Sequence, residues 1–351
     1  MSALRYGWTT GACATAAATA AYTALLTGEF PDPVTITLPR GQRPAFALAG
    51  ERLSPGVASA EVVKDAGDDP DVTHGAVIAV TVRPGVAGSG VLFVAGTGVG
   101  VVTKPGLPLA VGEPAINPVP RRMIREHIAA VAAAHGGSGD VVVEIGVAGG
   151  AELALRTWNP RLGIVGGLSI LGTTGVVVPF SCSAWIDSIR RGIDVARAAG
   201  RRHVAGCTGS TSEQVVARLY GLPEDALLDM GDFAGAVLKY LRRHPVARLT
   251  IAGGFGKLSK LAAGHLDLHS GRSQVDLDLL ASLAATAGAP AEVVARVRAA
   301  NTALDALRQC PELGDLVAAG AREVALEVLR GAPVEVDVVV IDRSGAIVGC
   351  G

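Results

Sequence analysis

The sequence predicts an α/β protein of two domains, strand-rich at the start and regularly alternating afterwards. Three observations predict it. The 351 residues are enough for two independent cores. Short apolar runs between Pro/Gly turns dominate the first part, and after residue 147 strand and helix patterns alternate. Hydrophobic residues make up 49% and charged residues 18%, the composition of a packed globular chain rather than a disordered one.

The first helix begins after Thr9-Thr10-Gly11, where hydroxyls can cap free N–H groups, and stops near Gly28. β-like runs follow at Val34–Leu38, Ala45–Ala49, Val77–Val82 and Val91–Ala95, an α+β pattern. Lys104 to Pro120 holds five prolines and no periodicity, and a structureless stretch of that length is usually functional. Arg121–His135 reads as a helix and Val141–Val147 as a strand. Then come the helix Ser183–Ala199, strand His203–Gly206, helix Ser212–Tyr220, strand Ala226–Met230, helix Phe233–Arg243 and strand Arg248–Ala252. This is the βαβ rhythm of a parallel sheet covered on both faces. Helical stretches at Val275–Ala287, Ala291–Leu307 and Glu312–Arg330 precede a closing hairpin, Val334–Ile341 with Ala346–Gly349. Gly149-Gly150 and Asn159-Pro160 offer a break, so the boundary is set near 150, giving domains 1–150 and 151–351.

A formal net charge of -1 provides no field to draw the chain onto nucleic acid or an anionic membrane. The 46 glycines are nearly double the roughly 7% usual share, while aromatics are 4%. Binding surfaces should therefore be loops lined by backbone. The five scattered cysteines, with no Cys-x-x-Cys pair, argue against a disulfide framework and a zinc site and fit a reducing cytosol. The apolar stretch Ala12–Leu26 is mostly Ala and Thr and reads as a buried helix. No other run approaches the roughly 18 apolar residues of a membrane span. A cytoplasmic protein is expected, and a homo-oligomer is compatible with it.

Gly96-Thr97-Gly98-Val99-Gly100 has the look of a dinucleotide loop, yet it runs into a proline-rich segment instead of a helix. Gly253-Gly254-Phe255-Gly256-Lys257-Leu258 falls short of a phosphate-binding loop, which needs Gly at 251 and Ser/Thr at 258. Gly206-Cys207-Thr208-Gly209-Ser210-Thr211 sits at a strand-to-helix turn, where N–H groups and hydroxyls serve an anion or simply cap a helix. Asp229 ends the next strand, placed for a ribose hydroxyl or an N-cap. Lys64 to Asp71 packs Asp65, Asp68, Asp69 and Asp71 together, which should raise some of their pKa values by like-charge repulsion. That segment is a solvated turn, a general base, or a scaffold orienting a lysine. His265 and His269 are four apart, but Leu-Asp-Leu between them does not assure one helix face.

Taken together, five strings resemble the cobalt-precorrin-5B C(1)-methyltransferase (CbiD) family. They are Gly7–Ala14, Val62–Thr73, Gly96–Gly100 continuing through Lys104–Leu107 to Gly112–Arg121, Gly167–Gly175, and Gly256–Gly264. Leu266-Asp267-Leu268-His269-Ser270 departs from the Asn-Thr-His-Ser ending associated with that family. The resemblance implies transfer of a methyl group from S-adenosylmethionine to C1 of a cobalt-containing tetrapyrrole, giving cobalt-precorrin-6A in the cobalt-early, anaerobic cobalamin pathway. It implies an N-terminal two-layer α+β domain and a Rossmann-like three-layer domain with extra C-terminal helices. Its substrate carries acetate and propionate arms, which call for Arg, Lys and backbone N–H groups.

The candidate site set is then Asp65, Asp68 and His265 for catalysis. Gly206, Thr208, Gly209, Ser210, Thr211, Asp229, Gly253 and Gly254 are assigned to S-adenosylmethionine, and Thr9, Thr10, Lys64, Lys104, Arg121, Arg122 and Lys257 to the macrocycle. No protein-bound metal is expected. Two other readings stay open: a phosphotransferase built on the Gly-rich loops and Lys257, which a tight ATP affinity would favour, and a non-catalytic corrinoid carrier, which would show no affinity for S-adenosylmethionine.

Overall fold

The computed structural model describes residues 4–351 as a mixed α/β chain in two compact units, the first ending at Ser181 and the second beginning at Cys182.

The first unit holds a five-stranded sheet in the order Gly50–Ser54, Val57–Val63, Val77–Pro84, Val141–Val147, Val91–Ala95. Its pairings are antiparallel except the last, which is parallel. Along Val141–Val147 buried and half-buried residues alternate strictly, so one face of the sheet is core and the other is wetter. The buried face lies under the helices Thr10–Thr27 and Pro118–His135. Fourteen residues of Thr10–Thr27 are buried, and it tolerates this because it is nearly all Ala and Thr. The Thr15 and Thr19 hydroxyls donate back to Gly11 O and Thr15 O at 2.8 and 2.7 Å, leaving few polar groups to hydrate. Thr9 accepts the Ala12 amide as N-cap, and Gly28 closes the helix at φ 85.

The hairpin Gly50–Ser54 with Val57–Val63 escapes the sequence reading because its first strand is a mostly exposed edge without apolar alternation. The runs expected at Val34–Leu38 and Ala45–Ala49 shrink to the two-residue ladder Val34–Thr35 with Ala45–Phe46.

The division after Ser181 corrects the boundary expected near 150. Gly149-Gly150 is no linker: a Cβ on Gly150 would lie 2.3 Å from Gly98 O, and one on Gly167 2.2 Å from the same oxygen. Gly98 itself has φ +77, and a Cβ there would stand 2.1 Å from Val147 O. The Gly96–Gly100 string is thus a knot of backbone against backbone that locks the following segment in place. Ile164–Val165 pairs with Val101–Val102, and Val176–Val177 with Gly7–Trp8, which ties residues 151–181 to the first unit.

The second unit's sheet runs Leu227–Asp229, His203–Cys207, Arg248–Gly254, Glu335–Ile341, Ile347–Cys350, with the first four strands parallel and the last antiparallel. Val204, Leu249, Ile251, Val336, Val338 and Val340 face the larger core, shared with helices Cys182–Ala198, Ala234–Leu241, Phe255–Ala262 and Leu313–Leu329. Ala205, Cys207, Ala252 and Val339 face a smaller one beneath Ser210–Tyr220. The stretch expected as one helix, Ala291–Leu307, is two, because Thr302 caps a new start by accepting the Asp305 amide.

The chain leaves His203–Cys207 toward one neighbour, Leu227–Asp229, and leaves Arg248–Gly254 toward the opposite side, Glu335–Ile341. Adjacent strands whose connections depart in opposite directions open a crevice at their carboxyl ends. Among the described residues no helix is long and apolar enough to cross a membrane.

Candidate functional site

A cleft of about 920 Å³ opens at that crevice, lined by Thr208 to Ser212, Gly254 to Lys257, Lys260, Val275, Thr302 to Leu304, Arg308 and Ile341 to Arg343. Two helices begin in it, Ser210–Tyr220 and Phe255–Ala262, and neither N-cap, Gly209 or Gly254, supplies a side-chain hydrogen bond. Neither helix start is therefore capped by the side chain of its own N-cap residue.

The two N-cap glycines have no folding requirement to be glycine. Gly209 has φ 168 and Gly254 φ -66, backbone that any residue adopts, and a Cβ on either meets nothing within 4 Å. Their neighbours differ. A Cβ on Gly253 would lie 2.6 Å from the Thr208 side chain, and one on Gly206 3.1 Å from Met230 Sδ. These two glycines pack the loop and the sheet, and neither lines the cleft.

Of the residues assigned to S-adenosylmethionine, Thr208, Gly209, Ser210, Thr211 and Gly254 line one cleft, and Lys257, assigned to the macrocycle, lines it as well. Lys257 is a bracket: its Nζ donates to Thr208 O at 3.0 Å and pairs with Asp232 Oδ1 at 3.1 Å, tying two strand-end loops together. Asp229 ends its strand as expected, but it lies outside the lining, and its carbonyl accepts the Trp185 indole N–H at 2.9 Å. His265 is exposed and lines a separate hollow beside Arg272 and Asp276. Among the described residues no group of three or more His, Cys, Asp or Glu could hold a metal ion.

Arg308 and Arg343 were not anticipated. Both are exposed side chains on the cleft wall, with no ion pair among the described residues. Arg343 follows the carboxyl end of Glu335–Ile341, so the strand-end rule applied to the fourth parallel strand would have found it. Nothing local marks Arg308, which arrives on the helix Ala303–Gln309. The cleft is rich in donors, with two helix starts, the hydroxyls of Ser210 and Thr211 and two guanidinium groups. Its lining also includes Phe255, Val275 and Leu304. This arrangement suits a ligand with an anionic end and an apolar or aromatic body.

In the first unit the acidic segment behaves opposite to expectation. Asp65 is ion-paired with Arg5 and accepts the Gly67 amide, and these hold its carboxyl down at about 2. Burial pushes Asp71 up, but Lys64 and Thr73 outweigh it and the group is held low. For Asp65 and Asp71 the neighbouring donors and cations decide the direction. Asp68 accepts the Arg5 amide at 2.7 Å, and Asp69 accepts the amide of Phe180 at 2.8 Å. Asp65 and Asp68 therefore clasp the chain together, and an ionised Asp65 is no proton donor near neutral pH.

Arg121 is also committed to the fold. Its Nε donates to Ile116 O at 2.8 Å, its Nη2 to Pro114 O at 3.1 Å, and its Cζ lies over the Phe93 ring, 5.4 Å from the centroid. The guanidinium pins the proline-rich loop rather than presenting itself to a ligand. Arg122 is 59% exposed and pairs loosely with Glu126 at 3.9 Å. Lys104 is half-buried, with its side chain against Gly163. Thr9, Thr10 and Lys64 meet at a small cavity of about 160 Å³ in the first unit.

Comparison with known proteins places the chain. Residues 1–179 match the family model described as CbiD, and residues 267–351 the one described as CbiD, C-terminal domain. The chain is 63% identical over 349 residues to the cobalt-precorrin-5B C(1)-methyltransferase of Paramagnetospirillum magneticum, covering 99% of this chain and 98% of that one. It is 63% identical over 348 residues to the protein of the same name from Brucella suis, covering 98% and 95%. It is also similar to the 1.9 Å crystal structure of the cobalamin biosynthesis protein (CbiD) of Archaeoglobus fulgidus, at 29% identity over 77% of this chain and 83% of that one, with a TM-score of 0.42. The chain belongs to the CbiD family.

Proposed function

We propose that this CbiD-family chain is an S-adenosylmethionine-dependent methyltransferase of the cytoplasm. It methylates C1 of cobalt-precorrin-5B, the step for which its relatives are named, and the product is cobalt-precorrin-6A in the cobalt-early cobalamin pathway. The observation that carries the reading is the pair of open N-cap glycines at the Rossmann-like crevice of the second unit. Glycine there leaves room for a ligand to approach two helix starts, and the fold does not otherwise ask for it.

The donor-rich wall fits the cosubstrate. The amides at Ser210 and Thr211, their hydroxyls and Arg308 or Arg343 receive the amino-acid carboxylate, while Phe255 and Leu304 lie against the adenosine. S-adenosylmethionine supplies an already activated methyl group on a sulfonium. The protein's own part is to hold donor and macrocycle in line and keep water out, so positioning dominates the rate. An ionised Asp65 agrees with a reaction that asks for little acid-base equipment. A phosphotransferase gains no support: Leu258 and Ile251, which stand where a phosphate loop needs Ser/Thr and Gly, are fully buried core residues.

Incubating the purified protein with S-adenosylmethionine and cobalt-precorrin-5B should yield a product heavier by one methyl-for-hydrogen exchange. S-adenosylhomocysteine should form in equal amount. Macrocycle binding without any methylated product would return the chain to the carrier reading.

A further inference from the structure

The first unit contains a small, mainly apolar cavity whose few polar lining groups have an unbalanced hydrogen-bond inventory. Lys64 is 2% exposed and lines the cavity beside Asp71, to whose Oδ2 its Nζ donates at 2.7 Å. An ammonium has three donors, and among the described residues this is the one bond it makes. The Thr9 hydroxyl accepts the Ala12 amide, and its own O–H has no acceptor among the described residues. Every other polar neighbour is engaged. Ser169 Oγ donates to Asn159 Oδ1, Asn159 Nδ2 donates to Gly167 O, and Thr10 Oγ1 donates to Leu171 O. Asp71 Oδ1 already accepts both the amide and the hydroxyl of Thr73, at 2.7 and 2.6 Å.

The cavity therefore offers spare donors and no spare carboxylate. Leaving donors of a buried ammonium unmet is costly, so the missing partner is an acceptor, and an anionic one gains most from Lys64. Size narrows the choice. About 160 Å³ is too little for a macrocycle and enough for a short chain ending in a carboxylate. The rest of the lining is largely apolar, with Val72, Leu171 and Val177, which suits the hydrocarbon from which such an arm would descend.

We propose that the Lys64 cavity is a socket for one short carboxylate arm of the substrate. Two donors of Lys64 and the Thr9 hydroxyl hold the carboxylate, Asp71 orients Lys64, and the apolar part of the lining meets the hydrocarbon of the arm. The proposal deepens the reading of a polycarboxylate macrocycle as substrate and rests on it for the identity of the arm.

The test uses the full-length protein with sodium propionate and propionamide as probes, followed by saturation-transfer NMR. Propionate should bind saturably to the parent and to Gly209→Val, at least tenfold more weakly to Lys64→Met, and propionamide at least tenfold more weakly to the parent. The double variant Lys64→Met/Asp71→Asn leaves no buried charge unpaired and guards against misfolding, so it should unfold cooperatively like the parent and still lose propionate. Propionate binding that Lys64→Met does not weaken, or equal binding of propionamide, overturns the socket. In turnover, Lys64→Met should raise the KM for the macrocycle at least tenfold and leave the Kd for S-adenosylmethionine unchanged; an unchanged KM overturns the proposal as well. Because propionate binding needs no turnover, a failed methyl-transfer assay with intact Lys64-dependent binding removes the reading of the substrate and leaves the socket standing.

Discussion

At Gly98 of the first unit a Cβ atom would lie 2.1 Å from a carbonyl oxygen, whereas at Gly209 and Gly254 of the second it would meet nothing within 4 Å. As letters the strings around them are alike, glycines closely spaced after a strand. The first uses the missing side chain to let three backbone segments touch, at Gly98, Gly150 and Gly167. The second leaves the missing side chain facing open space beside two helix starts. A glycine forced by packing or by a left-handed φ belongs to the fold, and one with neither reason marks a surface meant for something else.

The comparison breaks most visibly at Gly98. With φ +77 and no room, Gly98→Ala should destabilise the first unit by more than about 3 kcal/mol, whereas Gly254→Ala should stay within about 1 kcal/mol of the parent. Urea unfolding of the two variants reads the contrast directly. A parent-like midpoint for Gly98→Ala would remove the distinction between the two kinds of glycine.

Adjacent arginines sharpen the same point for side chains. Arg121 is 13% exposed and holds two carbonyls and the Phe93 ring, so Arg121→Ala should lower unfolding stability by about 2 kcal/mol. Arg122→Ala should change it by less than about 0.5 kcal/mol. Similar losses in thermal unfolding would show that Arg121 does not pin the loop.

The smallest effect concerns acid. The folded-state pKa of Asp65 is depressed to about 2, below the roughly 3.9 of an unfolded chain. Its contribution is therefore fully present above about pH 4 and is lost as pH falls toward 2. Because the side chain is 42% exposed, the contribution should be below about 1 kcal/mol. Asp65→Asn should flatten the stability profile between pH 4 and 2, and a stronger acid dependence in that variant would contradict the clasp.

The alternation of strands and helices from Cys182 onward was legible because each buried strand is a short apolar run followed by Gly or Asp at its carboxyl end. That pattern also led to Thr208–Thr211 and Gly254. The edge strand Gly50–Ser54 was not legible, since an exposed strand has no apolar period to betray it. The boundary was misplaced for a related reason: Gly149-Gly150 reads as a hinge until the carbonyl of Gly98 is seen against it. Neighbours in sequence suggest like-charge repulsion for some of the four carboxyls between Lys64 and Asp71, whereas the pKa of Asp65 is set first by Arg5, sixty residues earlier. Arg308 reaches the cleft from another helix altogether, and no local spacing announces such an arrival.

The central claim, that the open glycines of the second unit mark the cosubstrate site, is tested most directly by calorimetric titration of S-adenosylmethionine into Gly209→Val and Gly254→Val. Both backbones accept a branched residue and the space is empty, so both variants should unfold like the parent. Each should bind S-adenosylmethionine at least tenfold more weakly, a loss of about 1.4 kcal/mol or more. Parent-like affinity in two well-folded variants would place the cosubstrate elsewhere.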